Sequence, residues 1–244
     1  MKISTVIITN NKRPNILNLC IKTAMNNSDE VIVVGNIENL DYDVTLIEAK
    51  ELADSGNISK MRNIGANAAS GDYIINCDDD IIFELKFKKK ILKYIESTQH
   101  KVFTTRIFSQ DGYRYWDRPV YVHRDNRSYM IDYDQYHKDL YYTGGLIIRH
   151  KSIVEKYQWD ESLGFYEKED VIYSELLKQN GYDVIIDKNA YVIHHDDTYI
   201  TFMNPDGKLE CGKLDDKSLQ ESIILDEEAE KTKREILTLL KFLQ

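Results

Sequence analysis

Residues 55–80 read SGNISKMRNIGANAASGDYIINCDDD, and the fold prediction rests on this stretch. In its first part, at 55–71, small or apolar side chains recur at helical spacing, namely Ile58, Met61, Gly65 and Ala68. The run DYIIN at 72–76 is typical of a buried strand, and three aspartates, Asp78, Asp79 and Asp80, follow it. The stretch therefore predicts a helix that packs closely on a strand, with carboxylates at the carboxyl end of that strand.

The flanking sequence continues this alternation of helix and strand. Short β-branched runs at 5–9, 29–35 and 43–49 predict further strands. Pro14 opens a run with one apolar helical face. Strands that alternate with helices form mostly parallel sheets. The sequence therefore predicts an α/β fold with a mostly parallel central sheet flanked by helices.

Composition limits the classes of function. The 244 residues, of which 42% are apolar, predict one large domain with a sizeable core. A net charge of −9 argues against nucleic acid as a partner. No apolar stretch approaches the ~20 residues of a membrane span, and the initial apolar run is too short for a signal peptide. Three widely spaced cysteines without a CxxC pair indicate reduced thiols, so we predict a cytoplasmic protein, with contact to the inner face of a membrane left open.

The three aspartates indicate a cation site. Ligands of open α/β sheets bind beyond the carboxyl ends of the strands, so these carboxylates would face a crevice. Packed carboxylates raise one another's pKa unless a cation neutralises them, and their oxygens suit Mn²⁺ or Mg²⁺. The alternative left open is a polar loop whose aspartates cap a helix that starts near Phe83.

Three segments resemble family 2 glycosyltransferases. Residues 56–80 resemble the part in which a Gly, an Arg-Asn pair and a Gly-Asp-Tyr precede a strand that ends in a DxD-type motif. Residues 6–21, VIITNNKRPNILNLCI, resemble the first strand, turn and helix of the family, and residues 159–184 resemble its acceptor-side segment. The resemblance extends from residue 3 to about residue 196. It implies the GT-A fold, which is Rossmann-like, a nucleotide-sugar donor, a divalent metal and transfer with inversion.

The resemblance also implies a domain organisation. A GT-A domain would cover residues 1–213, in which residues 1–100 bind the nucleotide-sugar and residues 101–213 bind the acceptor. Residues 214–244 would form a C-terminal helical extension, since the stretch 218–244 carries an apolar stripe at helical spacing. We expect this helix to pack on the catalytic domain, with a dimer contact or docking to a membrane or partner as alternatives.

On the donor side, the resemblance assigns Asp80 and Asp78 to the metal. An earlier carboxylate, Asp78 or Asp79, can instead hold the ribose or reach the ion through water. Arg62 can bind phosphate in bidentate fashion, and the alternative is a solvated helix arginine. The other residues predicted to bind the nucleotide are Thr9, Asn10, Arg13, Asn36 and Asn63.

The sequence departs from the family pattern in two places. After the second strand the family often has Asp-Asp-Gly-Ser, whereas this chain has Gly35, Asn36 and Glu38, so the base of the donor is open. UDP is favoured only by its frequency in the family. The chain also lacks the Gln-x-x-Arg-Trp motif and the membrane spans of processive synthases, which favours transfer of a single sugar.

The acceptor side carries the predicted catalytic acids. The resemblance implies that Asp170 deprotonates the acceptor hydroxyl and that Glu169 is its positioning partner. The two acids begin a predicted helix with inward-facing residues Ile172, Leu176 and Leu177, and Gly181 ends it. The alternative is that both acids only complement the helix dipole.

Histidines end a further predicted strand in the run AYVIHHDD at 190–197. In many GT-A enzymes a histidine after this strand is a metal ligand, so His194 or His195 could complete the ion's shell. Strand alternation sends their side chains to opposite faces, and we favour His194. The alternative is an ordinary polar residue.

Eight of the 17 tyrosines lie between Tyr113 and Tyr142, and Gly144 and Gly145 follow them. Aromatic faces stack on sugars, so the region suits a cleft for a carbohydrate or glycoconjugate acceptor. The resemblance implies that the transfer serves the synthesis of a surface glycan or polysaccharide. Packing of an irregular subdomain explains the same density. The two glycines allow close approach to a ligand, or only a turn.

Two other functions compete with sugar transfer. A nucleotidyltransferase that makes the sugar nucleotide usually has a Gly-rich loop after its first strand, and TNNKRPN at 9–15 lacks one. A noncatalytic nucleotide-sugar-binding protein could keep the fold without the activity. Asp80, Asp170 and a nearby histidine in one chain argue against such a loss.

Overall fold

The computed structural model describes residues 1–110, 114–124, 126–195, 199–203, 209–213 and Thr238. The predicted C-terminal helix at 218–244 lies outside the described residues apart from Thr238, as do Asp196 and Asp197 of the run AYVIHHDD. Of the helices in the described part, none is both long enough and apolar enough to span a membrane.

The strands are β1 (Ile3–Thr9), β2 (Glu30–Gly35), β3 (Thr45–Glu48), β4 (Tyr73–Asp78), β5 (Ile81–Phe83), β6 (Val102–Ser109), β7 (Pro119–Val122), β8 (Arg127–Met130), β9 (Leu146–His150), β10 (Ile186–His194), β11 (Tyr199–Met203) and β12 (Leu209–Lys213). The helices are α1 (Pro14–Asn27), α2 (Lys50–Ser55), α3 (Ile58–Ala68), α4 (Phe87–Thr98), α5 (Lys151–Lys156) and α6 (Glu169–Gln179).

The main sheet has eight strands in the order β3-β2-β1-β4-β9-β6-β10-β5. Only β9 and β5 run against the other six strands of this sheet. The predicted α/β fold with a mostly parallel central sheet is therefore confirmed. This sheet contains strands from both sides of residue 100, the predicted boundary between the donor-binding and acceptor-binding halves. A second sheet has the order β12-β11-β8-β7, and its strands β7 and β8 lie within the tyrosine-rich region.

Helices cover both faces of the main sheet. Because side chains of a strand alternate in direction, Ile3 and Ile7 of β1 pack in one core with α1 and α4, whereas Val6 and Ile8 pack with α3. Gly65 permits the close approach of α3 that the small residues predict. A Cβ at Gly65 would lie 2.2 Å from Val6 Cγ1.

Three local predictions differ from the structure. The stretch 55–71 is not one helix, because Gly56 ends α2 in a left-handed conformation (φ 72°) and Asn57 caps α3. The alternative in which the aspartates cap a helix that starts near Phe83 is wrong, because residues 81–83 form β5 and pair with β10. On α6, Ile172 was expected inside but is 41% exposed, and Val171 and Tyr173 are buried instead.

Strand register brings the predicted site residues to one edge of the sheet. Ile8 pairs with Asp78, and Thr9 pairs with Gly35, so β1, β2 and β4 end together. β10 runs parallel to these strands and ends with His194 at the same edge. Carboxyl ends of parallel strands form the usual ligand crevice of such sheets.

Candidate functional site

The three aspartates are fixed at the turn between β4 and β5. Asp79 and Asp80 are buried, whereas the side chain of Asp78 is one-third exposed. Thr9 Oγ1 donates a hydrogen bond of 2.5 Å to Asp79 Oδ2. The backbone N–H of His195 donates to the backbone oxygen of Asp80 at 2.9 Å. The ends of β1 and β10 therefore hold the turn between them.

Arg13, in the loop after β1, pairs with two of these aspartates. Its Nη2 atom lies 2.8 Å from Asp80 Oδ2 and 3.3 Å from Asp79 Oδ1. Burial raises the pKa of Asp79 to about 6, although the hydrogen bond from Thr9 opposes the rise. Burial also raises the pKa of Asp80. The site thus contains acids that ionise only at an energetic cost.

Arg62 of α3 joins the donor-side strand to the acceptor-side helix. Its Nη2 donates to Asp78 Oδ1 at 3.2 Å, and its Nη1 donates to Glu169 Oε1 at 3.3 Å. The guanidinium lies 4.7 Å from the ring centroid of Trp159, and the side chain is only 2% exposed. A Cβ at Gly144 would lie 2.4 Å from Arg62 Nη2. The interpretation of Arg62 as a solvated helix arginine is therefore wrong.

Asp170 lies in the first turn of α6, next to this bridge. Its Oδ1 accepts from the N–H of Val171 at 2.8 Å, and its Oδ2 accepts weakly from the N–H of Gly144 at 3.4 Å. Burial raises the pKa of Asp170 to about 7, and the negative charge of Glu169 adds to this rise while Arg62 opposes it. Such a carboxyl group can exchange a proton near neutral pH.

His194, at the end of β10, faces Asp80. Its Nε2 atom lies 3.4 Å from Asp80 Oδ2, and its ring stacks on Tyr115 with 4.2 Å between centroids. Within the described residues, His194 Nδ1 and Asp80 Oδ1 are buried without a hydrogen-bond partner. The same part of the chain contains no group of three or more His, Cys, Asp or Glu side chains arranged to hold a metal ion.

Some predicted nucleotide-binding residues already bond within the chain. The Asn63 amide nitrogen donates to the oxygen of Trp159 at 2.9 Å and to Glu161 Oε1 at 3.1 Å, and its Oδ1 accepts from the N–H of Trp159 at 3.0 Å. We therefore leave Asn63 out of the proposed nucleotide site. Asn36 lies beside Thr9, where its N–H donates to the Thr9 oxygen at 3.1 Å. Asn10 is exposed in the loop before Arg13.

Two aromatic residues at the site are not among the residues that the sequence predicts for it. Trp159 supports Arg62, and Tyr115 covers His194. Their position in the predicted acceptor segment and the tyrosine-rich region was the only available signal. By contrast, Tyr121 and Tyr141 are buried in a cluster with Val171, so the packing interpretation holds for these two.

Two solved structures have a similar fold at low sequence identity. S. aureus TarS 1–349 matches with a TM-score of 0.58 and 15% identity over 80% of this chain and 60% of that chain. GalNAc-T7, in a crystal structure with UDP, GalNAc and Mn²⁺, matches with a TM-score of 0.63 and 14% identity over 80% of this chain and 44% of that chain. This chain therefore spans less than two thirds of either protein. At such identities the likeness shows the fold alone, and it confirms the predicted GT-A fold.

A third similar structure is S. aureus TarS 1–349 in complex with UDP, with a TM-score of 0.57 and 15% identity over 79% of this chain and 60% of that chain. Comparison with curated proteins finds no match. The sequence itself matches the family described as Glycosyl transferase family 2 over residues 4–158. Because this match covers more than half of the sequence, the predicted family is confirmed: the chain belongs to glycosyl transferase family 2.

Proposed function

We propose that this chain transfers one sugar from a nucleotide-sugar donor to an acceptor hydroxyl with inversion at the anomeric carbon. The bridge from Arg62 to Asp78 and Glu169, in a chain of this family, is the observation that carries the proposal. It joins the carboxyl end of β4 to the first turn of α6, where Asp170 lies. A leaving group at the strand end and a base at the helix start can then act on one substrate pair.

The donor we propose is a UDP-sugar. The GalNAc-T7 crystal structure contains UDP, and one TarS structure is a complex with UDP, which supports this choice by analogy of fold. Thr9, Asn10 and Asn36 lie at the edge where β1 and β2 end, so they are our candidates for the nucleoside. Asp78 and Asp79 remain candidates for the ribose.

The acceptor and the setting stay predictions. We propose a carbohydrate or glycoconjugate acceptor in the synthesis of a surface glycan or polysaccharide, with residues 101–213 as its binding half. The predicted cytoplasmic location, with or without contact to the inner face of a membrane, belongs to the same proposal.

The residues at the turn after β4 fit a divalent metal in their chemistry. Three carboxylates lie at this turn, those of Asp78, Asp79 and Asp80, and the guanidinium groups of Arg13 and Arg62 pair with them. The unpartnered buried atoms Asp80 Oδ1 and His194 Nδ1 offer an oxygen and a nitrogen donor. We propose that Asp80 and His194 hold Mn²⁺ or Mg²⁺, with Asp78 and His195 as further candidates. Such an ion stabilises negative charge on a leaving diphosphate.

Asp170 is the proposed catalytic base. It accepts the proton of the acceptor hydroxyl while the hydroxyl oxygen bonds to the anomeric carbon and the bond from that carbon to the diphosphate oxygen breaks. A pKa of about 7 suits this role, because the carboxylate is populated at neutral pH and still attracts a proton. Arg62 is buried against Trp159, so we propose that it positions Asp78 and Glu169 instead of reaching the phosphates directly.

Donor binding is expected to require the metal. In titration calorimetry, UDP should bind about tenfold or more tightly in Mn²⁺ than in EDTA, because the ion neutralises the diphosphate beside Asp80. Asp80→Asn should lower the affinity in Mn²⁺ to the level seen in EDTA. Asp54→Asn, at an exposed acid on α2, is the matched control and should leave binding unchanged.

Tight binding of UDP in EDTA that Asp80→Asn does not alter would contradict the metal assignment. Titration of GDP in parallel shows whether the site prefers uracil or guanine as the base of the donor nucleotide. A screen of nucleotide-sugars for metal-dependent hydrolysis then separates the functions, because a noncatalytic protein would bind a donor without hydrolysing it.

The proposed displacement also fixes the stereochemistry. Attack by an acceptor oxygen opposite the departing diphosphate inverts the anomeric carbon once, so an α-linked donor should give a β-linked product. Proton NMR of the anomeric signal of the product measures this outcome. A product with retained configuration would remove Asp170 from the role of base.

A further inference from the structure

The aspartates after β4 already carry a cation from within the chain. Arg13 Nη2 contacts Asp80 Oδ2 at 2.8 Å and Asp79 Oδ1 at 3.3 Å, so one guanidinium bridges two buried carboxylates. His194 Nε2 lies 3.4 Å from that same Asp80 oxygen. The guanidinium is therefore in contact with the carboxylate proposed to hold the metal.

A divalent ion and this guanidinium cannot share the site without strong repulsion. Both would contact Asp80, which is only 4% exposed, and burial of this carboxylate reduces the screening of charges beside it. One carboxylate would hold both cations, because Arg13 contacts Asp80 Oδ2 and the unpartnered Asp80 Oδ1 is the oxygen offered to the ion. Binding of the ion therefore requires Arg13 to move away or to weaken its contact.

The loop that carries Arg13 permits such a movement. The Arg13 side chain is 38% exposed, unlike the two aspartates beneath it. The start of the loop is fixed, since the N–H of Asn11 donates to Thr9 Oγ1 at 2.8 Å and Pro14 begins α1. The long arginine side chain can rotate toward solvent while the backbone on both sides stays in place.

We propose that Arg13 is the resident counter-ion of Asp79 and Asp80, and that its positive charge weakens the binding of a metal ion at Asp80. This inference rests on the proposed function, since it takes Asp80 as a metal ligand. It adds to that function a competition between a side chain and the metal. Released from the aspartates, the guanidinium becomes available to an anionic ligand such as a diphosphate.

The test measures Mn²⁺ alone, without nucleotide. Electron paramagnetic resonance of free Mn²⁺ gives the dissociation constant for wild type, Arg13→Gln and Arg13→Lys. Arg13→Gln should bind Mn²⁺ about tenfold or more tightly, because the competing charge is gone. Arg13→Lys should bind Mn²⁺ more weakly than Arg13→Gln, because it keeps a positive charge beside the acids.

Lys12→Gln is the matched control. It removes one positive charge from the adjacent, exposed position and should change the affinity less than about twofold, because surface charges are screened. Asp80→Asn should abolish binding, which tests the metal site separately. Thermal melting of each variant shows whether it is folded before the titration.

The outcomes distinguish the two proposals. Unchanged or weaker binding by Arg13→Gln would overturn the competition, and the metal site would stand if Asp80→Asn still abolished binding. Arg13→Lys binding as tightly as Arg13→Gln would also overturn it, since the charge would then have no effect. If neither wild type nor Arg13→Gln binds Mn²⁺, the proposed metal site fails and the competition fails with it.

Discussion

Asp170→Asn should lower turnover by about 10²-fold or more while donor affinity changes less than about twofold. Asparagine keeps the size of the side chain and can still accept from the N–H of Val171, so the first turn of α6 should persist. It cannot accept the proton of an acceptor hydroxyl. The loss should therefore appear in turnover, which depends on the transition state, and not in binding of the donor.

The measurement combines steady-state kinetics with calorimetry of the nucleotide. Glu155→Gln, at an exposed position of α5, is the control that removes a carboxylate away from the site and should leave both quantities unchanged. Normal turnover of Asp170→Asn would reduce Glu169 and Asp170 to acids that only complement the dipole of α6.

The raised pKa of Asp170 makes both the activity and the stability of wild type depend on pH, and Asp170→Asn should lack this dependence. Activity of wild type should fall as the pH drops through about 7, because the base becomes protonated. Stability should change in the opposite direction, because the folded state binds this proton more tightly than the unfolded chain and is therefore stabilised at low pH. The free energy of unfolding should therefore decrease from about pH 4 to pH 7, and at pH 8 Asp170→Asn should be more stable than wild type by about 1–2 kcal/mol.

The parts of the fold that the sequence predicts are those that depend on local patterns. Alternating apolar runs and small residues predict β1, β2, β3, β4 and α1 to within a few residues of their observed ends. The turn after β4 could also be placed at the crevice, because the carboxyl ends of parallel strands meet there. The alternative of a helix that starts near Phe83 is wrong, and local patterns did not predict β5, because its three residues form a strand by pairing with the distant β10.

The pairings within the site could not be predicted from local patterns. Arg13 and Asp80 are 67 positions apart, and Arg62 and Glu169 are 107 positions apart, so their contacts depend on the assembled sheet. The contacts of Asn63 could not be predicted from local patterns either. It follows Arg62 directly, but successive helical residues point about 100° apart, and its amide turns to Trp159 instead of the crevice.

Arg62→Met should destabilise the fold by about 3–5 kcal/mol, because it leaves Glu169 buried without its charged partner. Methionine can still pack on Trp159, so most of the loss should come from charge and not from volume. Urea denaturation measures the change. Addition of Glu169→Gln should recover about half of it or more, because the carboxylate that lacks a partner is then removed.

The double variant separates stability from function. Asp78 would still lack the guanidinium that holds it at 3.2 Å, so donor affinity and turnover should remain at least about tenfold below wild type even where stability has recovered. Calorimetry of the nucleotide and kinetics at a temperature well below both melting points provide the comparison. If the double variant regained donor binding along with stability, Arg62 would be an ion pair of the core alone. The connection between Asp78 and Asp170 would then have to come from residues 144–145, where the N–H of Gly144 donates to Asp170 Oδ2 and the oxygen of Gly145 accepts from the N–H of Asp78.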